Sequence, residues 1–340
     1  MKSTATATSA PNWQRFRRLG LIALLVALLG LALMRVWLTW PGQTSSHAAP
    51  ALAVTTPTPT PVALPTAVNS KLAGLASVSV AQLLAGWSGE NAADWRVARL
   101  QGNAAVLVIE FPTLLVQGQT FNRAAALLEK TGGLRQQLLT DKELAALLVK
   151  SGDNTETFFL GHDYTANGLA RFFNQAERQF IVLNLQELRL RQLLLDASIL
   201  KNQAGRYSAQ GEQAVISFTS VQLDNPTTPQ DETVDALRRE SVLQHELSHG
   251  EFFTNPAYQQ RSWNHWRNAL TEAERRMFRH LLAGMGYDAG NEELMVNETQ
   301  ALLMHTPDER AFGPANLGMK AAQFANLKQR WELNLSPARR

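Results

Sequence analysis

Two histidines four residues apart, with a glutamate directly after the first, stand at His245-Glu246-Leu247-Ser248-His249. On a helix, residues i and i+4 share one face about one turn apart, so both imidazoles can reach a single ion. Zinc accepts imidazole nitrogen at about 2.0–2.1 Å in a tetrahedral site. Glu246 is turned away by one residue. It falls outside the ligand pair but beside an open coordination position, where a carboxylate can take a proton from water that the metal has made acidic. The surroundings favour this reading over two solvated histidines on a surface helix. Val242, Leu243 and Leu247 make much of the helix apolar, and Phe252-Phe253 follow at once. Histidines buried in such a setting need partners.

The motif resembles that of the zincin metallopeptidases. In the metzincin form it continues to a Gly and a third His at fixed spacing. Phe252 and Asn255 occupy those positions here, which excludes that form. The gluzincin form takes its third ligand, a Glu, from a later helix, and three candidates lie downstream: Glu292, Glu293 and Glu298. Helical spacing separates them. Glu298 shares a face with Leu294, Ala301 and Leu302, so it points inward, and a carboxylate on a buried face must be paired or bind a metal. Glu293 shares a face with Asn297 and Gln300, expected to be solvated. Glu292 falls in the first turn, where an acid complements the helix dipole. Glu298, 49 residues after His249, is the expected third ligand. The resemblance then implies Zn2+ as cofactor, Glu246 as general base and a peptide or protein substrate.

Other residues have weaker claims. His162, in Gly161-His162-Asp163-Tyr164, could support the site or face substrate, or be a hydrogen-bonded turn histidine. His305 either lines the cleft or closes its helix before Pro307. Tyr287 could donate to an oxyanion, and Tyr164, Tyr207 and Tyr258 have similar claims.

These residues need helices to hold them. Ser79…Gln82, Thr140…Glu143, Asn184…Glu187 and Thr271…Glu274 read as capping boxes, and Asn255-Pro256 as a cap followed by proline at the first helical position. Strands are expected over Ala105–Phe111, Thr157–Gly161 and Ala214–Gln222. The last alternates as a half-buried strand should and is a candidate edge for pairing with substrate. The expected fold is α+β and helix-rich, with a zincin-like active-site helix and a small sheet in the front lobe. Residues 71–230 are expected as a mixed α/β lobe, and 231–340 as a helical zinc-binding lobe.

The chain has 340 residues and no cysteine, which excludes disulfides, thiol nucleophiles and Cys-ligated metals. The first 40 residues hold five basic and no acidic side chains, while the other 300 hold 27 basic against 29 acidic. The basic pI therefore belongs to the N-terminus, and no nucleic-acid partner is expected. Residues 1–18 read as a basic cytoplasmic tail. Residues 19–40, apolar with a lone Arg35, read as a transmembrane signal anchor, with a cleaved signal peptide as the competing reading. Residues 41–70 hold six prolines and no charged side chain apart from His47, and read as a linker. Together these features lead to the expectation of a zinc peptidase anchored in a bacterial inner membrane by its N-terminal helix. Its C-terminal domain would be periplasmic or extracellular and would act on peptide or protein substrates of the cell envelope. One alternative is a metal-stabilised or catalytically silent envelope binding or scaffold protein, and another is a peptidoglycan-associated binding module with Phe252, Phe253, Trp263 and Trp266 as an interaction surface. The sequence leaves the oligomeric state open.

Overall fold

A computed structural model of the chain describes residues 75–86, 93–130 and 137–335. Its centre is a five-stranded mixed sheet of order β1-β2-β3-β7-β4. β1 (Ser77–Val78) runs parallel to β2 (Arg96–Leu100), and β2 antiparallel to β3 (Asn103–Phe111). β3 is parallel to β7 (Ala214–Thr219), and β7 antiparallel to the outer strand β4 (His162–Thr165). A separate hairpin joins β5 (Leu200–Gln203) to β6 (Arg206–Ala209).

Both faces of this sheet are covered. On one, Leu107, Ile109, Phe111 and Val215 pack against α2 (Leu114–Leu128), α4 (Ala166–Gln179) and α5 (Leu185–Asp196). On the other, Val106, Val108, Ile216 and Phe218 meet Leu243 and Leu247 of α6 (Ala236–Thr254). Double coverage explains why β3 and β7 read as nearly unbroken apolar runs. It also corrects the reading of 214–222 as a half-buried edge. That strand ends at Thr219, is wholly buried, and lies inside the sheet between β3 and β4. The expected strand at 157–161 is irregular chain, and the strand begins one residue later, at His162.

Helix starts follow local chemistry. All four capping boxes close, at α1 (Val80–Leu84), α3 (Asp141–Ser151), α5 and α8 (Glu272–Gly284). Asn255 caps α7 (Pro256–Asn264). With α9 (Glu292–His305) and α10 (Ala321–Leu335), these C-terminal helices enclose a second core around Phe252, Trp266, Phe278, Met295 and Leu303. The fold is thus α+β and helix-rich, with a small mixed sheet.

The membrane expectation is corrected. Among the described residues no helix is long and apolar enough to cross a membrane. The anchor expected at 19–40, with the tail before it and the linker after it, lies outside the described residues. The single-pass inner-membrane topology and the membrane-anchored function built on it are therefore set aside.

One buried ion pair fixes α6 on the sheet. Arg239 Nε and Nη2 donate to Glu110 Oε1 at 3.1 and 2.9 Å, and Nη2 also donates to the Leu83 carbonyl. Arg96 reaches the other Glu110 oxygen at 3.2 Å. Arg96 and the Ser220 hydroxyl still hold Glu110 when Arg239 is lost, so Arg239→Ala is expected to lower stability by about 1–3 kcal/mol in denaturant unfolding. Arg276→Ala, which breaks only an exposed pair with Glu272, should change stability by less than about 1 kcal/mol.

Candidate metal centre

Asp235 caps α6 by accepting from Arg238 N at 2.8 Å, and the helix runs unbroken through residues 245–249. Gly250, one residue later, faces the sheet where a Cβ would sit 3.1 Å from Val106. Glycine there lets the helix lie close on the strands. α9 is locked against α6 by polar side chains: Gln300 Nε2 donates to Ser248 Oγ at 3.1 Å, and Ser248 Oγ to the His245 carbonyl at 2.7 Å. This docking brings Glu298 to the two histidines.

Ligand atoms of His245, His249 and Glu298 all lie within 4.8 Å of one another. Glu298 Oε2 is 3.7 Å from His245 Nε2, and Oε1 is 3.9 Å from His249 Nε2. Donors around a zinc ion with bonds near 2.0 Å stand about 3.3 Å apart, so small adjustments would bring these atoms onto one ion.

Protonation agrees with that use. The Thr306 hydroxyl donates to the Ala301 carbonyl at 3.0 Å, so at 2.8 Å it accepts from His245 Nδ1–H. That tautomer leaves the Nε2 lone pair directed at Glu298. His249 is 1% exposed, and its Nε2 has no hydrogen-bond partner, nor has Glu246 Oε2. Burial holds both imidazoles at about 4, so they are neutral and ready to coordinate at physiological pH. Burial, and then the charges of Glu298 and Glu129, pushes the Glu246 carboxyl well above its usual range. Glu298 is raised by burial, against the lowering pull of His249 and Lys130. Buried unpartnered donors and crowded carboxylates are what a divalent cation offsets. The residues fit zinc, and the His245-Glu246-x-x-His249 helix with Glu298 is a zincin-type arrangement of the gluzincin form.

Two cavities flank the cluster. One, of about 200 Å³, is walled by Glu129, Asp163, Glu293, Asn297 and Glu298. The other, of about 250 Å³, lies beside His245 and Glu246 and is walled largely by Phe158, Phe159, Val242, Tyr287 and Leu302. Lys130 stands in it with its ammonium over the rings of Phe159, Phe158 and Tyr287 at 4.5, 4.9 and 5.3 Å, donating to the Met285 carbonyl.

The remaining sequence candidates fall as follows. Tyr287 is buried in the second cavity, and burial, with Glu298 next, raises its phenol well above the usual value, so it keeps its proton. His305 ends α9, and its Nε2 lies 2.9 Å from Tyr258 OH, which donates to Gln300 Oε1. It therefore joins α7 to α9. His162 packs between Phe121 and Phe159 with Nδ1 3.0 Å from Tyr164 OH, on the sheet face away from α6. Glu293 is exposed as expected, but Asn297 and Gln300 are buried, because α6 and α7 pack over that side of α9 and supply partners for Gln300.

Sequence reasoning missed Asp163, whose Oδ2 is 3.7 Å from His249 Nε2. It stands on β4 between His162 and Tyr164. Period-two alternation sends those two to one face and Asp163 to the face that α6 covers. It also missed Gly161, where a Cβ would come within 2.2 Å of Glu246 Oε1, and Thr306.

No protein-family model, curated protein or solved structure matches this chain, so the cluster itself carries the functional reading. Removing a ligand tests it. Glu298→Ala should lower zinc affinity by orders of magnitude, whereas Glu293→Ala should leave zinc in place and shift stability by within about 0.5 kcal/mol. Thr306→Val, which removes the hydrogen bonds to His245 and to the Ala301 carbonyl, should weaken zinc binding by roughly 10–100-fold. Chelator competition on the three variants measures the affinities, and denaturant unfolding of Glu293→Ala measures its stability.

Proposed function

We propose that the protein is a zinc-dependent peptidase acting on peptide or protein substrates. The observation that carries this reading is the meeting of His245, His249 and Glu298 beside a buried carboxylate, Glu246, that has an unpartnered oxygen. Zinc held there supplies Lewis-acid polarisation of a carbonyl and lowers the pKa of water toward neutrality.

The chain's own residues do the rest. Glu246 takes a proton from the attacking water and passes it to the departing amine nitrogen. A bound cation offsets the repulsion that raises this carboxyl, so Glu246 would be ionised when it takes the proton and would hold it until the amine departs. Gly161 keeps main chain close against Glu246 and limits the carboxylate's freedom. Tyr287, kept protonated, is a hydrogen-bond donor for the developing oxyanion. The second cavity takes an apolar side chain of the substrate. β4, paired only with β7 among the described residues, offers an outer edge on which an extended peptide can lie.

The test is a peptide-library digest with zinc content measured in parallel. Glu246→Gln should keep one zinc per chain and lose activity by about 10²-fold or more. Gly161→Ala should also keep zinc and lose activity, because the methyl group displaces Glu246. Undiminished hydrolysis by zinc-loaded Glu246→Gln would show that the mechanism is wrong.

A further inference from the structure

Among the residues that wall the cavity beside His245 and Glu246, Lys130 is the only lysine or arginine, and the hydrolysis of a peptide bond makes no use of it. Its ammonium has three N–H donors. Among the described residues one goes to the Met285 carbonyl at 3.0 Å, and no ion pair engages the charge. The rings of Phe158, Phe159 and Tyr287 attract the cation without offering it a carbonyl or carboxylate oxygen. Burial pulls the ammonium below its usual range, against the raising pull of Glu129, Asp153 and Glu298. Main chain fixes its place. Lys130 and Tyr287 form an antiparallel bridge, and Asp288 N donates to the Glu129 carbonyl at 3.3 Å. The turn that follows α8 and the chain leaving α2 thus hold the ammonium between them.

The position of Glu246 decides which part of a substrate enters this cavity. Glu246 passes its proton to the departing amine, so the residue that carries this nitrogen lies next to Glu246. Glu246 lines this cavity and not the one on the other side of the cluster. The residue on the leaving side of the cleaved bond therefore occupies it. Phe158, Phe159, Tyr287 and Leu302 give that residue's side chain apolar walls, and Lys130 gives an anion a positive charge and two donors. A residue that has both an apolar side chain and a carboxylate is a C-terminal one.

We propose that the enzyme is a carboxypeptidase, which removes a C-terminal residue with an apolar side chain whose free carboxylate binds Lys130. This rests on the metallopeptidase reading. Water adds across the last peptide bond, its hydroxyl to the carbonyl carbon and its proton to the departing nitrogen, and a free amino acid leaves. Lys130 determines specificity: it touches the end of the substrate and not the bond that breaks. An ammonium and a carboxylate in a largely apolar setting form a charge-assisted hydrogen bond, about twice as strong as a neutral one. A chain that continues past the site, or ends in an amide, brings a neutral group to the ammonium and loses that pairing. An Asp or Glu side chain carries the same anion, but puts charge where the rings would take an apolar group.

The experiment uses the zinc-loaded full chain and three N-acylated peptides. They share the residues that precede a cleavage found in the library digest, and end in Phe with a free carboxylate, in Phe amide or in Glu amide. kcat/KM is measured on wild type, Lys130→Met and Lys130→Arg, with zinc content and melting temperature in parallel. Met keeps a long apolar chain against the rings and removes the charge. Wild type should favour the free-acid Phe peptide over its amide by about 10–100-fold. Lys130→Met should lose that preference through a fall on the free acid alone, and Lys130→Arg should keep part of it. Equal cleavage of acid and amide by wild type would overturn the inference, as would a loss in Lys130→Met that falls on both alike. So would preference for the Glu amide, which assigns the carboxylate to a side chain, or cleavage of the parent library peptide with none of the three cut. If zinc-loaded wild type cleaves nothing in the library, the metallopeptidase reading beneath the inference fails instead.

Discussion

Carboxylates gathered in one buried place repel one another, and burial raises the cost of each charge. Glu129, Asp163, Glu246 and Glu298 share such a place, and each is pushed upward by burial. Glu129 reaches about 8 even with a hydrogen bond from Tyr164 and the ammonium of Lys130 to lower it. Two neutral imidazoles face the same point. A protein can retain this arrangement if the groups are protonated, or if a cation takes the place of the protons. The neutral, lone-pair-bearing histidines select the cation, because the carboxylates alone have no need of them. The rest of the site follows from this demand: the Thr306 bond that sets the His245 tautomer, the unpartnered Nε2 of His249, and the position of Glu246 just outside the ligand set.

The fold meets this demand with rigid elements. α6 cannot shift along the sheet without exposing Arg239 and Glu110 or pressing Gly250 against Val106. α9 is tied to α6 through Gln300 and Ser248, and to α7 through Tyr258. β4 carries Asp163 toward His249, and the chain before it passes close enough to Glu246 that a Cβ at Gly161 would displace the carboxylate. Charge repulsion within the site is therefore opposed by packing that lies outside it, and the donor atoms are held in place in advance.

Much of this was legible in the residues because it is local. Each capping box spans four residues and closes on itself, so Thr140 with Glu143 and Thr271 with Glu274 predict their helices without tertiary knowledge. The i, i+4 histidines are equally local, and the inward face of Glu298 follows from Leu294, Ala301 and Leu302. Failures came where the answer depends on what packs on top. Asn297 and Gln300 look solvent-facing by type but are buried, because α7 supplies a tyrosine to hold Gln300. Residues 214–219 look half-buried by alternation, yet a helix covers each face. Asp163 was overlooked beside the more conspicuous His162, since only strand pairing with β7 decides which of the two meets α6.

The central claim is that this buried cluster binds a metal, and the metal content of the purified native protein tests it most directly. One tightly held zinc per chain is expected, whose removal by a chelator lowers the melting temperature and whose return restores it, because a ligand bound only by the folded state stabilises it. A protein that carries no zinc, takes none up, and melts at the same temperature with and without chelator would contradict it.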